Sequence, residues 1–170
     1  MSSPETFVVG VDGSADSRLA LQYAAREAIL RGATLRVVSS FESAGRFGAR
    51  YGVPIPVSDE VITATVREET KTLVNEVVAS LPEPPAVQVV VRVGSAGPVL
   101  VDESRQADLL VVGHHGRGAI ASAVLGSVGL YCVLHAQCPI TVVRSRAKRV
   151  TEPAPAVSAV ATAPADAVTA

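Results

Sequence analysis

Five short runs of mostly β-branched residues punctuate the chain, and none shows strict alternation: Phe7–Val11, Thr34–Val38, Val87–Val93, Leu109–Val112 and Ile140–Val143. A strand wetted on one side alternates apolar and polar residues. One that is apolar on both sides must be covered on both. These runs therefore predict parallel strands sandwiched between helices.

The intervening segments carry helical spacing. Leu21, Ala24, Ala25 and Ala28 recur at i, i+3, i+4 and i+7, with Arg18, Gln22 and Arg26 opposite and Gly32 placed as a left-handed stop. A second helix is expected from Ser58 or Asp59, both good N-caps, to about Ser80, with Val74, Val77, Val78 and Leu81 inward and Pro82 ending it. A third opens at Pro98 and turns Leu100, Val101 and Ser104 inward. A fourth begins near Ser127, with Leu130, Val133 and Leu134 on one side and Pro139 closing it. The order β-α-β-α-β-α-β-α-β implies a single α/β domain. Its expected form is a doubly wound five-stranded parallel sheet of strand order 3-2-1-4-5, with helices on both faces.

Two stretches stand outside this alternation. Phe41–Val57, with its glycines and prolines, reads as a long surface loop. Residues 147–170 form an Ala/Pro-rich tract without aromatic residues or a helical stripe, expected to be a disordered tail after a folded unit over residues 1–146. Arg144, Arg146, Lys148 and Arg149 lie at the junction and read as a solvated exit from the last strand.

Composition removes several classes of function. Lys and Arg total 15 against 16 acidic residues, so no basic footprint for nucleic acid or an anionic membrane exists. Aromatic residues make up 4% of the chain, too few for base-stacking platforms. Two cysteines cannot build a disulfide framework. No apolar run approaches the roughly 20 residues that span a bilayer, and the first residues lack a signal-peptide pattern. A cytoplasmic protein is expected.

In an open doubly wound sheet, ligands bind beyond the carboxyl ends of the strands where the winding reverses, here between strands one and four. The first strand runs into Val11-Asp12-Gly13-Ser14 and the fourth into Gly113-His114-His115-Gly116-Arg117-Gly118. Further on, Gly126-Ser127 opens the last helix. Glycines allow close main-chain approach, helix-opening N–H groups hold anionic oxygens, and Asp12 suits a ribose hydroxyl or a phosphate-bound Mg²⁺. No Gly-Lys-Ser/Thr or Gly-x-Gly-x-x-Gly signature follows strand one.

At these residues the chain resembles the universal stress proteins. Gly113-x2-Gly116-x9-Gly126-Ser127 matches the family's nucleotide-binding pattern Gly-x2-Gly-x9-Gly-Ser/Thr in full. Residues 7–14, 107–113 and 135–143 resemble its opening, fourth-strand and closing segments. The resemblance, over about residues 6–144, implies an ATP-binding member. It places Asp12 by the ribose and phosphates, with Gly10, Val11 and Gly13 shaping that wall. Val38 would meet adenine through its backbone. Gly113, Gly116, Arg117, Gly118, Gly126, Ser127 and Val128 would surround the ribose and phosphates, and His114 and His115, which the pattern does not demand, are further nucleotide-binding candidates on the same loop. Ala119 stands where a glycine is common, and Ala123 where a bulkier or basic side chain often sits, so the identity of the nucleotide stays open.

Other candidates have plainer readings. His114 and His115 could be metal ligands or a general base, but adjacent histidines in a glycine-flanked loop more often simply line a crevice. Cys132-x2-His135-x2-Cys138 lacks a fourth zinc ligand nearby, so its cysteines read as small buried residues. Asp102 and Glu103 read as a solvated face.

The expected function is that of an ATP-binding stress regulator or sensor, with Mg²⁺ accompanying the nucleotide. No constellation demands efficient catalysis. The alternatives are an adenine-nucleotide α-hydrolase-type enzyme and a cyclic-AMP binder using the same pocket. A homodimer through strand 139–144 is expected, since that strand would lie at a sheet edge.

Overall fold

The computed structural model describes residues 4–52, 58–116 and 125–145. The elements are β1 (Thr6–Gly10), α1 (Ala15–Arg31), β2 (Thr34–Phe41), α2 (Ala44–Tyr51), α3 (Asp59–Val78), β3 (Val87–Val93), α4 (Ala96–Ser104), β4 (Leu109–Gly113), α5 (Ser127–His135) and β5 (Ile140–Val143). All strand pairs are parallel and the order is β3-β2-β1-β4-β5. The doubly wound arrangement expected from the sequence is the one observed.

The winding explains why the strands need apolar side chains on both faces. On one face α1 and α3 pack Leu21, Ala24, Ala25, Leu73, Val74 and Val77 against Phe7, Val9, Leu35, Val37 and Val111. On the other, Leu100 of α4 and Cys132 of α5 meet Val8, Val38, Leu110 and Val112. Adjacent residues such as Val37 and Val38 thus serve opposite cores. Phe7, Leu21, Leu35 and Leu110 are wholly buried, each contributing about 1.5–3 kcal/mol by leaving water.

Local chemistry sets the ends of α1. The Ser14 hydroxyl accepts the Ser17 N–H at its start, and Gly32, at φ 63°, takes the left-handed turn that stops it. Helix α4 starts at Ala96, two residues before the expected Pro98, which instead occupies its first turn.

Three expectations change. Phe41–Val57 is not one long loop. Strand β2 continues through Ser39, Ser40 and Phe41, which pair with Val91, Arg92 and Val93, and helix α2 then occupies Ala44–Tyr51. Gly45 and Gly48 disguise that helix in the sequence. The Asp59 carboxylate anchors it by accepting the Ala44 N–H at 2.9 Å, and Gly52 ends it. Residues 53–57 lie outside the described part, as do Arg146, Lys148, Arg149 and the expected tail at 147–170.

Glu103 is not solvated, although Asp102 is. Glu103 is 7% exposed and bridges Arg36 of β2 at 3.2 Å and Arg92 of β3 at 2.9 Å. Its position, three residues after Leu100 and one before buried Ser104, lies on the inward stripe of α4. Finally, the apolar stripe of α5 faces outward. Leu130, Val133 and Leu134 are exposed, while Gly129 and Cys132 make the buried contact. Among the described residues, no helix is long and apolar enough to cross a membrane.

The Glu103 bridge generates a stability prediction. Glu103→Ala strips Arg36 of its carboxylate partner, whereas Arg92, largely exposed, rehydrates. Urea denaturation should show a loss of about 1–2 kcal/mol, at the lower end for hydrogen bonds to charged groups.

Candidate functional site

Strands β1 and β4 lie side by side, Val9 level with Val111, and the winding reverses between them. Their carboxyl ends therefore deliver the two glycine-bearing loops to the same place. After β1, Asp12 makes an Asx turn: its Oδ1 accepts the Ser14 N–H at 3.0 Å. Gly13, at φ 82°, supplies the left-handed step between them. The Ser17 hydroxyl donates to the Ser14 carbonyl at 3.0 Å, and the Asp12 N–H reaches back to that hydroxyl at 3.4 Å. The loop is thus closed onto the first turn of α1.

After β4, the chain is held from three sides. The His114 N–H donates to Val143 of β5 at 2.8 Å, and the Gly126 N–H donates to the His114 carbonyl at 2.9 Å. The His115 N–H donates to Asp16 Oδ2 at 3.1 Å, and the Ser14 hydroxyl to the His115 carbonyl at 3.4 Å. One compact wall results, built from residues 12–17, 113–116 and 126–127.

The glycines of the motif each have a steric reason within the protein. A Cβ on Gly113 would stand 2.8 Å from the Asp16 carbonyl carbon and 2.9 Å from the Ser17 nitrogen. One on Gly116 would meet Asp12 Oδ2 at 2.7 Å, and one on Gly126 the His114 carbonyl at 3.2 Å. Gly10 makes room for a different neighbour, Leu100 of α4, 2.7 Å from its ideal Cβ.

The remaining residues expected at the site fall into two groups. Asp12 and Gly13 are exposed, as are Ser127 and Val128 in the first turn of α5. Among the described residues no side chain caps α5 or accepts from its opening N–H groups. Val11 and Val38 are buried instead. The Val11 N–H donates to the Val38 carbonyl at 2.9 Å, while the Val11 carbonyl accepts from the Ser39 hydroxyl at 3.2 Å. Arg117 and Gly118, like Ala119 and Ala123, lie outside the described residues.

Asp16 was absent from the sequence-based set. Its only signal is an acidic residue in the first turn of a helix; that this turn abuts the β4 loop is a matter of topology. His114 is 9% exposed. Burial foremost, then His115 and Arg144, hold its imidazole below the usual pKa, with Asp16 opposing. Cys132 and Cys138 behave as small packing residues: burial raises both thiols, Cys132 to about 11. His135 stacks on Tyr131 at the surface and does not join them in a ligand cluster.

The model of the Universal stress protein family matches residues 4–144. The chain belongs to this family. A universal stress protein of Mycobacterium tuberculosis strain H37Rv is 32% identical over 142 residues, covering 84% of this chain and 49% of its own length. The chain thus spans about half the length of the curated relatives it matches. Among solved structures, the universal stress protein UspA from Lactobacillus plantarum covers 85% of this chain and 100% of its own, at TM-score 0.65 and 18% identity. Two others, each 24% identical over 84% of this chain, are a universal stress protein in complex with cAMP and one from Archaeoglobus fulgidus in complex with dAMP. They cover 98% and 99% of their own chains, at TM-scores 0.56 and 0.54. These likenesses support the universal stress protein fold.

The steric setting of the two loop glycines separates their roles. In Gly113→Ala the new methyl meets backbone that cannot swing aside, and guanidinium denaturation should show a loss of about 1–3 kcal/mol. In Gly116→Ala it meets a side-chain oxygen, Asp12 Oδ2, whose shift strains the Asx turn but moves no main chain of α1, so the loss should be smaller, about 0.5–1 kcal/mol.

Proposed function

We propose that this universal stress protein binds an adenine nucleotide, ATP with Mg²⁺, at the crevice between β1 and β4. On this reading it acts as a nucleotide-responsive stress regulator rather than an efficient enzyme. The observation that carries the reading is the meeting of the Asp12 loop, the Gly113–Gly116 loop and the α5 start, uncapped by any side chain among the described residues, at the reversal of winding. Main-chain N–H groups at Ser127 and Val128 offer donors to phosphate oxygens. Asp12 offers a hard carboxylate oxygen, the donor class that Mg²⁺ takes alongside phosphates and water. Gly116 keeps the space beside that carboxylate free of a side chain. The relatives seen with cAMP and dAMP carry ligands of the same chemical class.

In this reading Gly10, Val11 and Val38 form the supporting wall, while Arg117 and Gly118 continue the phosphate side by family likeness. The functional unit is residues 1–146, in the cytoplasm, and residues 147–170 take no part in binding. Two copies associate through β5, which among the described residues pairs only with β4. An antiparallel twofold pairing satisfies both free edges at once, and the outward stripe of α5 offers apolar surface to a partner.

Mass spectrometry of nucleotide released from freshly purified protein tests the ligand directly. ATP is the expected species; cyclic AMP would replace it as the ligand, and the absence of any adenine nucleotide, with no calorimetric binding of added ATP, would overturn the reading. Asp12→Asn keeps the shape but removes the charge. Calorimetry should show Mg²⁺-ATP binding weakened more than metal-free ATP binding; equal losses would assign Asp12 to the ribose alone. Light scattering at micromolar concentration should return twice the 17.5 kDa chain mass. A single-chain mass would refute the dimer.

A further inference from the structure

The chain contains three histidines, and two of them meet a carboxylate at one point of the crevice wall. Asp16 from α1 and His114 and His115 from the loop after β4 each offer a ligand atom, all within 4.8 Å of one another. The two Nδ1 atoms are 2.9 Å apart, with the rings edge to face. Asp16 Oδ2 lies 3.6 Å from His115 Nδ1. Two imidazole nitrogens at hydrogen-bonding distance need a proton or a cation between them, because otherwise their lone pairs oppose each other. Two nitrogens held tetrahedrally at about 2.0–2.1 Å from one metal ion would stand about 3.3–3.4 Å apart, a few tenths of an ångström beyond the separation here and within reach of a small ring rotation.

We propose that Asp16, His114 and His115 form a site for a divalent transition-metal ion of the zinc and cobalt class. The donor set separates it from the Mg²⁺ that accompanies a nucleotide, since imidazole suits zinc, cobalt and nickel whereas Mg²⁺ takes oxygen. Three protein ligands leave further coordination positions for water or for an oxygen of a bound ligand. The framework is assembled by contacts that do not involve a metal. Asp16 is tied to the His115 N–H, the His114 N–H to Val143, and the His114 carbonyl to Gly126. The side chains of His115 and Asp16 are 20% and 12% exposed, buried enough to hold their orientations yet open to an ion. The site stands whether or not a nucleotide binds.

The test uses tag-free full-length protein, stripped with a chelator and free of nucleotide, titrated with Co²⁺. Binding is read by ligand-field absorption and by elemental analysis after dialysis. One ion per chain is expected. Affinity should fall more than about tenfold in His115→Ala, since loss of a supporting outer partner alone costs that much. Asp16→Asn, which can still accept the His115 N–H, should show the same direction with the fold kept, as judged by circular dichroism. His135→Ala and the double change Cys132→Ser, Cys138→Ser should retain the ion. Substoichiometric Co²⁺, or undiminished affinity in both His115→Ala and Asp16→Asn, would overturn the site. Since these titrations contain no nucleotide, their failure leaves ATP binding untouched, and a failure of ATP binding leaves them standing.

Discussion

The approach of β4 to the first turn of α1 governs everything built above the sheet. At Gly113 the strand passes so close to Asp16 and Ser17 that a single methyl would collide with main chain. That contact brings the helix start within reach of the following loop, so that Asp16 receives the His115 N–H and Ser14 donates to the His115 carbonyl. Two loops from strands that are distant in sequence but adjacent in space become one rigid wall. A side chain at Gly113 would separate them before any ligand entered the account.

This changes how the glycine spacing is understood. A motif of the form Gly-x2-Gly-x9-Gly-Ser suggests glycines cleared for a ligand. Here Gly113 and Gly126 are first cleared for the protein itself: one for α1, the other for the His114 carbonyl. Gly116, beside the Asp12 carboxylate, is the one whose open space borders an exposed charged group. The pattern records an architecture, and the crevice follows from it.

Much of this was legible in the sequence because burial on both faces of a sheet leaves a direct trace: short apolar runs without alternation. The strand order follows from the alternation of strands and helices in a doubly wound sheet, and the stop at Gly32 from local chemistry, whereas the cap at Ser14 emerges only in the structure. Helix α2 was hidden because Gly45 and Gly48 argue against helix and its anchor, Asp59, lies beyond the next connection. Glu103 was misjudged by residue type although its spacing from Leu100 was correct. Its partners Arg36 and Arg92 lie 67 and 11 residues away and reach it only through the sheet. Asp16 likewise gains significance only once β4 is known to lie beside α1.

Helix α5 inverts the usual relation between a helix and its core. Its small residues, Gly129 and Cys132, face inward, while Leu130, Val133 and Leu134 face water, with Leu134 68% exposed. In the proposed homodimer a stripe of this kind would be covered by mass action, so its exposure would depend on how much protein is present. Dilution therefore acts as a variable in its own right. On the proposal of a homodimer, a preparation at nanomolar concentration and one at tens of micromolar would present different surfaces to solvent, and properties measured on one would describe the other only where that helix plays no part.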